Sequence, residues 1–160
     1  AEVDRFMLKL RITYPSYTEE RNITERQVLD KEPELKKAFT PGELLNLRRK
    51  IVESYPLREE SPILRYSTRI VRATRPEETN GYIKGLVAYG ASPRASIALA
   101  RAARTYAFLQ GEDIVMPEHV KKMAHPVLRH RIILTHEAEA SGIEPDEVIS
   151  SILDTVPVLD

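Results

Sequence analysis

Tyr89-Gly90-Ala91-Ser92-Pro93-Arg94-Ala95-Ser96-Ile97-Ala98-Leu99 is the stretch that decides the fold of this 160-residue chain. Ser92 carries the kind of side chain that accepts from backbone N–H groups at a helix start. Pro93 suits the first helical position, where no N–H is missed. Residues 93–110 that follow are rich in alanine and leucine, the best helix formers. At 100° per residue Ala95, Ala98, Leu99, Ala102, Tyr106 and Leu109 share one face, and the small residues admit a close neighbour. Gly111 supplies a left-handed stop.

Working outward, the same start signal recurs at Thr40-Pro41, with Glu43 placed to close a capping box, and at Ser61-Pro62. These predict helices over about 41–52 and 62–74. Residues 18–31, charged and anchored by Ile23, Val28 and Leu29, predict another. Residues 77–89, with Gly81 and Gly85, read as a turn and a short helix. Pro117 opens a short helix over 118–124, and Glu144-Pro145 opens the last, to about Leu153. Against this helical background Phe6, Leu8, Leu10, Ile12 and Tyr14 alternate with Met7, Lys9, Arg11 and Thr13, the period of a half-buried strand that Pro15 ends. His130–Leu134 reads as a second, short strand. The first strand has no sequence neighbour to pair with, so a partner is expected in the 130–134 strand or in a second copy. The expected fold class is mainly α: a helical bundle with one N-terminal strand and a short second strand.

The chain is 42% hydrophobic and 30% charged, with no apolar run near the roughly 18 residues that span a bilayer. Membrane insertion is therefore not expected. No cysteine is present, so disulfides and thiolate metal sites are excluded. With no signal pattern at the N-terminus, a cytoplasmic location is the expectation. The 24 Lys and Arg balance the 24 Asp and Glu, which speaks against a general nucleic-acid binder. The balance is uneven along the chain: residues 61–136 carry a net +7 and residues 137–160 a net −7. Anion chemistry belongs in the middle.

There Arg94 falls in the first turn of the 93–110 helix, where its charge opposes the helix dipole. A guanidinium beside free N–H groups makes a phosphate-type anion site of Arg94, Ser92 and Pro93. Arg101 lies two turns on. The competing reading of both arginines is surface side chains lying over the core. Arg5, between Asp4 and Phe6 at the strand entrance, either projects toward a neighbouring molecule or pairs with Asp4. His119, His125, His130 and His136 lack metal-ligand spacing, so no metal site is expected. The compact basic Leu128–Ile132 segment reads best as a polar strand edge or a salt-bridge partner for the acidic end. No phosphate-binding G-x-x-x-x-G-K-[ST] loop, no dinucleotide fingerprint and no nucleophile elbow is present.

Taken together, Asp4-Arg5-Phe6 with the alternating strand, Tyr14-Pro15, Ala73-Thr74-Arg75, Tyr89 to Leu99, Gly111 to Glu118 and Val127-Leu128-Arg129-His130-Arg131-Ile132-Ile133-Leu134 resemble the MoxR family of AAA+ ATPases. The match runs in order through the chain. Met116 departs from the capping Thr or Ser usual before Pro117, at the cost of a cap. The resemblance implies a division at residue 15: residues 1–15 as a remnant of an α/β ATPase core, with its arginine-finger segment and last strand, and residues 16–160 as the helical lid. A Walker A loop is then expected within about 200 residues upstream of Ala1. It implies that Arg94 is a sensor-2 arginine and Arg5 an arginine finger, both stabilising charge on a transferring phosphoryl group. It also implies ATP and Mg2+ in a full-length protein, with none bound to this stretch alone, which lacks Walker A and Walker B. Neighbouring subunits of a homo-oligomeric ring, hexameric by resemblance, would be partners. So would von Willebrand factor A domain proteins and the client complexes that a chaperone-like ring remodels. Two other classes compete: a non-enzymatic helical interaction module with a basic arginine face, and a nucleic-acid-binding bundle. The latter would show steep salt dependence.

Overall fold

The computed structural model describes residues 2–31, 33–78 and 83–158. Among these the chain forms seven α-helices and one two-stranded sheet. The helices are α1 (Tyr17–Val28), α2 (Pro41–Ser54), α3 (Pro62–Arg72), α4 (Pro93–Gln110), α5 (Pro117–Leu128), α6 (His136–Ala140) and α7 (Pro145–Thr155). The strands are β1 (Val87–Tyr89) and β2 (Ile133–Leu134), antiparallel with Val87 opposite Leu134 and Tyr89 opposite Ile133. The mainly α class holds.

The chain divides into two compact units: residues 1–9 with 50–160, and residues 10–49. The larger unit holds the core. Here α4 packs chiefly on α5 and α3, and α5 also on α7. The buried side chains are Tyr66, Ile70 and Val71 of α3, Leu99, Ala102, Ala103 and Ala107 of α4, Val120, Ala124, Val127 and Leu128 of α5, and Ile149 and Ile152 of α7. The alanines of α4 let its backbone approach both neighbours closely, which is why this helix takes the centre. Its buried stripe is rotated from the expected one. Ala103 and Ala107 are inside, whereas Leu109 is exposed. The amide of Gly111, at φ +72°, returns to the last turn and ends the helix as expected.

In the smaller unit Ser16 and Glu19 form a reciprocal capping box at the start of α1. Thr40 and Glu43 do the same for α2. Neither helix contains a buried residue.

Several expectations change. The Phe6–Tyr14 strand does not form: residues 7–15 carry no regular structure, and Ile12 and Tyr14 lie almost fully in water. A strand needs a ladder, and β2, the expected partner, gives its hydrogen bonds to β1. Val87–Tyr89, read from sequence as helical, is that strand, and residues 79–82 of the same stretch lie outside the described residues. Helix α5 runs to Leu128, four residues beyond its expected end, with Pro126 in its last turn. Helix α6 is additional, capped by Thr135, whose hydroxyl accepts from the amide of Ala138.

Candidate functional site

The start of α4 is built by two short segments locked together. Thr74, fully buried, donates its hydroxyl to the carbonyl of Val71 and accepts from the amide of Ala91 at 2.8 Å. Arg75 Nε donates to the carbonyl of Ala91 at 3.1 Å, and its Nη1 pairs with Glu78 at 2.9 Å. The Arg72 and Arg75 guanidiniums hold the carboxyl of Glu78 below the usual carboxylate range through these hydrogen bonds. Between them runs Gly90. A Cβ placed there would stand 2.4 Å from the carbonyl oxygen of Thr74 and 2.8 Å from the Cα of Arg75. Only a residue without a side chain lets these two backbones touch. The Ala73-Thr74-Arg75 and Tyr89-Gly90-Ala91 segments are therefore one structural device, and it aims α4.

The amides of the α4 first turn are already engaged. Pro93 has none. That of Arg94 goes to Ser92 Oγ at 3.2 Å and that of Ala95 to the carbonyl of Ser92 at 2.9 Å. The free N–H groups expected at this end are thus taken up by the cap, so attraction for an anion rests on the dipole and on Arg94. The Arg94 side chain is 68% exposed, and its Nη1 lies 3.7 Å from Asp4 Oδ2. So exposed and long a pair is weak and readily exchanged for another anion. Arg101 is exposed as well. Nearly three turns along α4 (~2.8 at 3.6 residues per turn), Arg104 is half-buried, and burial pushes its guanidinium below the ordinary value.

Asp4 is the acceptor shared by this end of the molecule. It lies in a 3-10 turn, Glu2–Arg5, that rests against α4. Its carboxylate accepts from Ser92 Oγ at 3.0 Å and from Arg131 Nε at 3.2 Å, and it faces Arg94. Arg5 follows directly in the chain and is exposed, with its guanidinium 5.2 Å from the Phe6 ring centroid, a cation–π distance. Arg94 thus meets Asp4 directly, and Arg5 belongs to the same 3-10 turn as that carboxylate.

The segment from Asp4 to Lys9 is held by the residues that end α5 and follow it. Arg131 donates to the carbonyls of Asp4 (3.0 Å), Met7 (3.2 Å), Phe6 and Val127. His130 Nε2 lies 3.0 Å from the carbonyl of Phe6, and Arg129 Nη1 donates to that of Lys9 at 3.2 Å. Arg129 also grips Asp146 with two parallel bonds of 3.0 Å. This bears out the reading of the segment as a salt-bridge partner for the acidic end. Burial lowers the Arg131 guanidinium while Asp4 acts in the opposite sense, so it stays charged.

The histidines find separate roles. His119 Nδ1 accepts from the amide of Met116 at 3.0 Å and replaces half of the cap that Met116 lacks. His125 meets Ser150, and His136 is exposed beside Glu139. Among the described residues no three His, Asp or Glu side chains converge as a metal site requires. No helix among them is long and apolar enough to cross a membrane. Sequence reasoning missed Asp4 and Arg131 as a pair. The one signal for it was an arginine set between the apolar Leu128 and Ile132.

A small helical bundle with a two-stranded sheet, and with a proline-started central helix bearing arginine in its first turn, defines a class. Residues 82–152 match the AAA lid domain family, and the chain contains such a lid. Over nearly its whole length the chain is similar to MoxR proteins. Chaperone MoxR1 of Mycobacterium tuberculosis is 39% identical over 158 residues, 98% of this chain and 41% of the relative. Protein MoxR of Methylorubrum extorquens is 40% identical over 74 residues, 45% of this chain and 21% of the relative. The crystal structure of a candidate ATPase from Cytophaga hutchinsonii superposes with a TM-score of 0.86 at 34% identity, covering 98% of this chain and 47% of that one. The chain spans less than half the length of these relatives.

Proposed function

We propose that this chain is the lid-bearing part of a MoxR-type AAA+ ATPase and supplies two arginines to ATP hydrolysis. The observation that carries the reading is the meeting of Arg94 and the Arg5 segment at Asp4. Both arginines are exposed, and among the described residues neither is committed to a strong partner of its own. The residues present fit a phosphate group: a solvent-facing guanidinium stands at the positive end of a helix, and a second exposed arginine follows the carboxylate that it faces. ATP with Mg2+ supplies the transferable phosphoryl group. Arg94, as sensor 2, binds a γ-phosphate oxygen, and Arg5, as arginine finger, adds positive charge where negative charge spreads in the transition state. Ser92 and Pro93 set the start of α4 and so the reach of Arg94, while the Mg2+ ligands belong to sequence outside this lid. In a homo-oligomeric ring, hexameric by family resemblance, the arginines report on assembly, and turnover remodels client complexes together with von Willebrand factor A domain partners.

The test is Arg5→Ala in the full-length protein. Nucleotide binding is expected to persist while turnover falls by on the order of 10³, the magnitude of an arginine finger. Wild-type turnover in assembled Arg5→Ala protein would remove Arg5 from the mechanism.

A further inference from the structure

We propose that Arg131 is the positioning residue of this site: with Asp4 it fixes residues 4–9 against the end of α5 and so presents Arg5 at the α4 N-terminus. The inference rests on the reading of Arg5 and Arg94 as phosphate-facing groups.

Residues 6–9 lack the usual anchors of a chain segment. Beyond the single 3-10 turn they belong to no helix or ladder. Phe6, Met7 and Leu8 are exposed, so burial of apolar surface does not anchor them either. Their carbonyls are instead held from one place. Arg131, His130 and Arg129 take the carbonyls of Asp4, Phe6, Met7 and Lys9, and the amide of Lys9 donates to the carbonyl of Pro126 at 2.8 Å. Arg131 is the centre of this clamp. Its side chain is only 2% exposed, a burial that a guanidinium sustains only when its donors are satisfied. Its acceptors on residues 4–7 are three main-chain carbonyls and the Asp4 carboxylate. With the carbonyl of Val127, that set occupies the planar fork of five N–H donors, which a lysine ammonium does not reproduce. The segment so gripped contains Arg5, and the carboxylate so gripped also meets Ser92 and Arg94. Arg131 touches no phosphate-facing atom itself. It acts through Asp4 and the backbone.

Full-length Arg131→Lys protein tests this, with amide hydrogen exchange and steady-state ATP hydrolysis read side by side. The expected result is exchange at Lys9 faster by about tenfold or more, with α3, α4 and α5 as protected as in wild type. Turnover should fall by about 10²-fold, the loss a displaced catalytic group brings, while KM for ATP stays unchanged. Unchanged exchange at Lys9 overturns the clamp. Faster exchange with wild-type turnover overturns the positioning role. Arg5→Ala is run in parallel. If that variant keeps wild-type turnover, the ATPase reading of Arg5 fails, and Lys9 exchange still decides whether Arg131 holds the segment. Should Arg131→Lys protein not fold, Asp4→Asn weakens the grip of Arg131 Nε on the carboxylate and leaves its main-chain acceptors in place. Faster Lys9 exchange with reduced turnover then supports the proposal, and wild-type values of both overturn it.

Discussion

Replacing Gly90 by alanine should damage the protein far more than a one-methyl change suggests. The added Cβ would stand 2.4 Å from the oxygen and 2.7 Å from the carbon of the Thr74 carbonyl, and 2.8 Å from the Cα of Arg75. All three are backbone atoms, so no rotamer change relieves them. The two segments must separate, at about 1–3 kcal/mol for overpacking. Separation also lengthens the buried bond from the Ala91 amide to Thr74 Oγ1, now 2.8 Å, and leaving that pair unmet costs about 1–3 kcal/mol more. A total near 3 kcal/mol corresponds to a fall in melting temperature of about 6–12 °C for a domain of this size. Thermal unfolding followed by helical circular dichroism measures it. Gly111→Ala is the comparison: its Cβ meets nothing within 4 Å, and only its φ of +72° is strained. That substitution should cost about 1–2 kcal/mol. If Gly90→Ala proved no more harmful than Gly111→Ala, the close approach of residues 74–75 to residue 90 would be wrong.

Other outcomes follow from the same contacts. A double-mutant cycle on Arg129 and Asp146 should give a coupling of about 1–2 kcal/mol in urea unfolding, since the pair is bidentate and largely shielded from water. Ala103→Leu should destabilise by about 1–3 kcal/mol because residue 103 is fully buried, whereas Leu109→Ala on the exposed side should change stability by less than about 0.5 kcal/mol. His130 adds a pH dependence. Burial, aided by Arg131 and Lys9, lowers its pKa below 6.5 despite the Phe6 carbonyl and Asp4. In the window below 6.5 the unfolded chain binds more protons than the folded one. Stability contributed by neutral His130 is thus complete above that pH and is lost as pH falls toward the folded value. Unfolding curves between pH 5 and 8 should show this slope for the native protein and a flatter one for His130→Gln.

How much of this was legible in the sequence depends on how local each signal is. Helix starts were: Thr40 with Glu43, Ser92 with Pro93 and Glu144 with Pro145 act within one turn, and each begins a helix where expected. The burial of α4 was read with the wrong edge, because periodicity groups Leu109 with the apolar residues without saying which side the neighbouring helices cover; they cover Ala103 and Ala107 instead. The alternation in Phe6–Tyr14 is a real strand period, but a period provides no partner, and the described residues offer none. Arg94 and Arg5 were picked out as chemistry-bearing residues from the helix start and from family resemblance. The meeting of Ser92 and Arg94 with Asp4, and the burial of Arg131 beside the same carboxylate, join residues some 90 and 127 positions apart, and no local pattern records such a contact.

The central claim is that Arg94 faces a phosphate rather than solvent. Its most direct test compares ATP turnover of full-length Arg94→Ala with that of Arg101→Ala, which removes another exposed charge two turns along the same helix. The account predicts that Arg94→Ala loses on the order of 10²–10³ in turnover and that Arg101→Ala stays at the wild-type rate. Wild-type turnover in Arg94→Ala, or equal losses in both, would contradict it.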